Sequence, residues 1–200
     1  YITQNKKNKG YAKNFFDTAI RASNNFIFFC DQDDIWELDK VEKMLDVLKE
    51  NTDLNLLASD LELFYSSENA LQWDKKDIEI MNNSGRIDKI KFSAKNFHCQ
   101  RSGCTMCIRK SFLEVIAPYW KERWAQDDYV WKFAVLTDSC AIYHYKAIRR
   151  RMHSDNATNV KIRTRQKRVN QINDLIEYYL SCIQFIKDNK ELIKDYANKE

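Results

Sequence analysis

Glycine and proline are almost missing: the 200 residues hold three glycines and one proline, where about 12% of a chain would be ordinary. That scarcity excludes collagen-like and low-complexity chains and argues against an all-β protein strung on tight turns, so regular elements should dominate. Long apolar runs are lacking as well. The longest, such as Phe26 to Cys30, have the length of a core strand and fall far short of the ~18–20 residues of a membrane span. The chain therefore reads as soluble or peripheral. There is also no N-terminal apolar stretch with a small-residue cleavage site, so the six cysteines read as reduced thiols of a cytoplasmic protein, not as a disulfide framework.

What is present is core material and segregated charge. The chain is 44% apolar and 13% aromatic, enough for one sizeable core. The net charge of +4 names no partner by itself. Its distribution says more: Lys146 to Arg168 carries nine basic residues against the single acid Asp155, a net +8, which leaves −4 on the rest. A basic strip of this kind faces an anion. Anionic lipid headgroups are one such surface, at about 1 kcal/mol per charge. Lys6 to Lys13 is also basic but lacks the paired architecture of a nucleic-acid motif, so nucleic acid is not expected.

The order of patterns along the chain is α/β grammar. Tyr11, Phe15 and Ala19, with Ala12, Phe16 and Ile20, recur at helical spacing, and Phe26 to Cys30 follows as a strand buried on both faces. The aromatic side chains of both segments read as core. The run ends in Asp31-Gln32-Asp33-Asp34, after which Leu38, Val41, Leu45 and Leu48 form the stripe of a second helix. Leu54 to Ala58 reads as a strand that stops at Asp60, with Leu61 to Tyr65 as its continuation or a neighbour. Residues 66–98 are weakly patterned and read as a variable connection. A helix over Phe112 to Ala117 ends at Pro118, Cys140 to Tyr145 reads as the last strand, and Ile172, Leu175, Ile176, Tyr179, Ile183 and Ile186 mark an amphipathic helix, extended through Ile193 and Tyr196.

Three carboxylates within four residues at a strand end repel one another unless a cation neutralises them. Alternation puts Asp31 and Asp33 on one side, as hard oxygen ligands for magnesium or manganese at the edge where open α/β sheets bind ligands. The plainer alternative is that Asp33 or Asp34 caps the next helix. Cys104 and Cys107, with Cys99 and His98 nearby, have a zinc-ligand spacing, but no second pair follows and free thiols are expected.

Phe29-Cys-Asp-Gln-Asp-Asp-Ile-Trp36 with Asp39-Lys40 resembles the metal-binding aspartate motif of family 2 glycosyltransferases of the GT-A fold, in their rhamnosyltransferase-like branch. Asn8-Lys-Gly10 and Asn14 are similar to the marks that precede it. Gly103-Cys-Thr-Met106 with Arg109 resembles the acceptor loop, Gln126-Asp-Asp-Tyr129 the segment of the catalytic base, and Arg149 to Arg151 with His153-Ser-Asp-Asn156 the closing diphosphate segment. The ordered set covers about residues 5–158, and it is more specific than any single piece.

The resemblance implies a GT-A-like, Rossmann-like mixed sheet flanked by helices over residues 1–160, with a C-terminal helical extension over 161–200. A strand-helix-strand unit of roughly 50–70 residues, carrying the nucleotide-base contacts, would precede Tyr1. It implies an inverting, metal-dependent transfer of sugar from a nucleotide donor, such as dTDP-rhamnose or a UDP-sugar, to a saccharide or lipid-linked acceptor in bacterial surface polysaccharide synthesis. Asp127 or Asp128 would be the base, both remaining open. Asp31, Arg149, Arg150 and Arg151 would face the diphosphate, and Asp31, Asp33 and His153 the metal. Gly103, Cys104, Thr105, Trp124, Tyr129 and Trp131 would meet the acceptor. The rival from another class is a non-catalytic module that docks on a membrane or partner through its basic strip and last helix.

Overall fold

The computed structural model describes residues 2–70, 72–73, 75–153 and 165–193, apart from the side chains of Lys75, Lys76, Arg165 and Lys167. Six strands are described: β1 (Phe26–Phe28), β2 (Ile35–Trp36), β3 (Leu56–Tyr65), β4 (Ile87–Ile90), β5 (Met106–Arg109) and β6 (Cys140–Met152). They form one mixed sheet in the order β1-β5-β3-β6-β2, and β4 pairs with the first part of β6. β3 and β6 are parallel and the other pairs antiparallel. The helices are α1 (Tyr11–Arg21), α2 (Lys40–Glu50), α3 (Lys75–Glu79), α4 (Lys110–Ile116), α5 (Gln126–Leu136) and α6 (Arg165–Asp188).

Strand periodicity divides the core. Leu56, Ala58, Met106, Ile108, Cys140 and Ile142 face the larger cluster, which packs with side chains of α1, α4, α5 and α6. Their alternates Leu57, Cys107 and Ala141 face the other way, against Met44, Val47 and Leu48 of α2. Helices thus cover both faces, as the mixed α/β reading expects. Burying each such aliphatic side chain stabilises the fold by about 1.5–3 kcal/mol.

Several expectations need correction. β1 is an edge strand of three residues with only Ile27 fully buried, not a strand buried on both faces. The buried face of α2 is Lys40, Met44, Val47 and Leu48, while Leu38 and Val41 are exposed, because the helix begins at Lys40 and its 3.6-residue period runs from there. Residues 66–98 hold α3 and β4, whereas Leu61 to Tyr65 continues β3, the first of its two readings. β6 runs on through Arg149–Arg151, so the start of the basic strip is strand, with Arg149 exposed. The β3–β6 register shifts around Asp60, where β6 carries extra residues. Asn156 and Tyr196 lie outside the described residues.

Candidate active site

The antiparallel entry of β5 and the parallel run of β3 and β6 bring four chain segments to one edge of the sheet. These are the aspartate segment after β1, the turn Gly103–Thr105 before β5, the start of α5 and the end of β6. Between them lies a cavity of about 500 Å³ lined by Asp31, Asp33, Gly103, Cys104, Asp127, Arg150 and His153, among others. Ligands of open α/β folds occupy this kind of edge.

Asp31 is part-buried among like charges. Burial foremost, then the Asp34 carboxylate, push its carboxyl above the usual range, with Asp33 and Asp127 adding to the effect and Arg150 opposing it. Asp34 turns inward: one oxygen accepts from the Arg151 backbone N–H at 3.1 Å, and Oδ2 is buried with no hydrogen-bond partner. Asp33 instead lies 3.0 Å from His153 Nε2, and its carbonyl accepts from Arg151 Nε. Asp31, Asp34 and Cys104 each offer a ligand atom within 4.8 Å of the others. Here Asp34 takes the place that alternation assigned to Asp33, because the chain turns after Asp31 instead of continuing as an extended strand. An orphaned buried oxygen beside a carboxyl destabilised by its neighbours fits a divalent cation.

Asp127 stands in the first turn of α5. Its Oδ2 accepts from Gly103 N–H at 3.1 Å and its Oδ1 from Asp128 N–H at 2.8 Å, which fixes the carboxylate against the turn. A Cβ on residue 103 would come to 3.0 Å from Asp127 Cβ, so a side chain there would require Asp127 to give by a few tenths of an ångström. Asp128 points away, ion-paired with Lys132, and lines a neighbouring cavity with Trp73, Gln100 and Arg101. Arg150 donates to Ser102 Oγ at 2.7 Å, with its guanidinium 5.4 Å from the Trp73 ring. Arg149 lies at the surface near Glu37, and Arg151 stacks on Phe64. Of the three arginines only Arg150 lines the main cavity.

The aromatic residues expected at the acceptor are elsewhere. Tyr129 and Trp131 are fully buried; the Tyr129 hydroxyl donates to the Ile116 carbonyl and Trp131 Nε1 to the Asn96 carbonyl at 2.9 Å. Trp124 stacks on Tyr178 with ring centroids 4.2 Å apart. Rings packed this way belong to the core and present no face to a sugar. Thr105 is also buried, its hydroxyl donating to the Ser102 carbonyl. Conversely Tyr11 and Phe15, expected in the core, line the cavity, as do Gln126 of the base segment and Ser102, which no sequence pattern singled out. Lys40, fully buried, donates to the Cys104 carbonyl at 2.9 Å and lies 3.6 Å from the centre of the Trp36 ring. Burial lowers it to about 8. Asp60, expected at the sheet edge, is instead inside β3. There it receives Arg101, His144 Nδ1 at 2.8 Å and the Asn82 backbone N–H. The six cysteines are free, and among the described residues the candidate metal group includes only Cys104 of them.

A mixed, helix-covered sheet with an acidic segment, an arginine and the Asp127 carboxylate around one edge cavity is consistent with the GT-A-like fold that the structural comparison shows. The sequence profile described as Glycosyl transferase family 2 matches residues 1–116, and the chain belongs to that family. Among solved structures, the fold is similar to the crystal structure of S. aureus TarS 1-349, at 15% identity and a TM-score of 0.51, over 73% of this chain and 41% of that one. The chain thus spans under half the length of that neighbour. No curated protein sequence matches it. Among the described residues, no helix is long and apolar enough to cross a membrane.

Proposed function

We propose that the chain transfers a sugar, with inversion, from a nucleotide-diphosphate donor to a hydroxyl of a saccharide or lipid-linked acceptor in bacterial surface polysaccharide synthesis. The observation that supports this is the convergence of Asp31, Asp127, Arg150 and His153 on one cavity. Asp127 is the base: held by two backbone N–H groups, it takes the proton of the acceptor hydroxyl as that oxygen attacks the anomeric carbon. The bond from that carbon to the diphosphate oxygen breaks on the opposite side, and its electron pair leaves with the nucleoside diphosphate. Arg150 and His153 donate hydrogen bonds to the departing charge. A divalent cation, magnesium or manganese, bound at Asp31 with Asp33 or Asp34 would neutralise that charge further. Asp128 is set aside as the base because Lys132 already occupies it.

The test is turnover of a manganese-loaded panel of UDP- and dTDP-sugars, dTDP-rhamnose included. Asp127→Asn should lower transfer by ~10²–10⁴-fold, with Asp128→Asn falling much less. Equal turnover in Asp127→Asn and the parent chain would remove the base assignment. A second reading, docking of the last helix on a membrane surface or partner, rests on the exposed Val169, Ile172, Leu175, Ile176 and Ile183 of α6. Co-sedimentation with anionic vesicles checks it.

A further inference from the structure

We propose that Cys104 is a ligand of the divalent cation and that its thiolate makes the site favour borderline cations such as cobalt and zinc over magnesium. This rests on the metal reading of the preceding subsection. Four observations carry it. Cys104 is 2% exposed, yet it lines the same cavity as Asp31. Its Sγ, an Asp31 oxygen and an Asp34 oxygen lie within 4.8 Å of one another. Asp34 Oδ2 is buried without a hydrogen-bond partner, a deficit that a cation would relieve. Asp33 is engaged by His153, so the thiol is the third donor the geometry supplies.

The turn that carries the thiol is held from three sides. Lys40 Nζ donates to the Cys104 carbonyl, Gly103 N–H donates to Asp127, and Thr105 N–H donates to the Ser102 carbonyl at 2.9 Å. A ligand on such a turn is placed before the metal arrives. As the Sγ–metal bond forms, the thiol proton leaves to solvent, so uptake releases acid. Oxygen-only sites suit magnesium, and a thiolate shifts preference toward softer cations.

The experiment is titration of cobalt(II) into the metal-stripped 200-residue chain, followed by absorption. The expected result is a near-ultraviolet sulfur-to-cobalt charge-transfer band that saturates at one equivalent, persists in Cys30→Ser and disappears in Cys104→Ser. Cobalt affinity should fall in Cys104→Ser by about tenfold or more, while magnesium affinity, read by competition, stays level. Circular dichroism of Cys104→Ser confirms that the fold is kept. A band that survives in Cys104→Ser, or cobalt bound by wild type and Cys104→Ser alike with visible bands only, overturns the ligand assignment and leaves the oxygen-ligated metal standing. No cobalt binding by wild type overturns both, and sugar transfer in the presence of chelator then decides the catalytic reading separately.

Discussion

Two acidic clusters lie a short distance apart in this molecule and are built in opposite ways. Asp60 is completely enclosed, and every group around it answers its charge: the Arg101 side chain, itself 2% exposed, His144, and the Asn82 backbone. His144 is in turn bridged to Asp88, whose carboxyl it holds below the ordinary range. Asp31 and Asp34 are answered less completely. Burial and the Asp34 carboxylate push the Asp31 carboxyl up against Arg150, and Asp34 Oδ2 is buried without a hydrogen-bond partner. An acid that the fold neutralises internally serves the fold, whereas acids kept together at an energetic cost beside a cavity are poised for a cation from outside.

The contrast can be broken most forcefully at Asp60. Asp60→Ala should destabilise the chain by about 3–5 kcal/mol, since it strands a buried guanidinium; chemical denaturation measures the loss. A loss under 1 kcal/mol would mean that water enters the cluster and that it is no structural pair.

The next effect is at the cavity. Gly103→Ala forces Asp127 aside and should cut turnover by about 10²-fold, with a stability cost of only about 1–3 kcal/mol. If turnover and stability fall in proportion, the turn matters for folding and not for placing the carboxylate.

The smallest effect has the opposite sign. Asp31 is raised in the fold, so its contribution to stability is fully present below its unfolded value and is lost as pH rises through the folded one. Asp31→Asn should therefore give a slightly higher melting temperature than the parent at neutral pH in chelator, and the gain should vanish in acid. The same substitution should abolish manganese binding by calorimetry. Manganese affinity of the parent chain should likewise weaken as pH drops toward the raised Asp31 value.

Much of the scaffold was legible because sequence pattern reports burial: α1, a strand beginning at Phe26 and the start of β6 all follow from it, although β1 is shorter and less buried than the apolar run suggests. The ordered motifs also located the cavity, since Asp31, Asp127, Arg150 and His153 do meet there. The misplaced residues share a physical cause. A tryptophan or tyrosine serves a core and a sugar site equally well, so pattern alone could not send Tyr129 and Trp131 inward or Tyr11 and Phe15 to the cavity. Which of Asp33 and Asp34 comes close to Asp31 and Cys104 depended on how the chain turns after Asp31, and a one-residue change of direction leaves no periodic trace. Arginines 149 to 151 read together as facing the diphosphate, yet strand alternation puts only Arg150 on the cavity. The Asp60 cluster joins four distant segments, and only the folded sheet shows that its charges cancel.

Lys40 ties Trp36 to the turn that bears Cys104: its ammonium caps the indole face on one side and grips the Cys104 carbonyl on the other. A positive charge over an indole alters the energy of its excited state, so the colour of Trp36 emission follows the seating of that turn. The protein thus carries a lamp beside its own cavity, one whose hue would register the arrival of a ligand without any label attached.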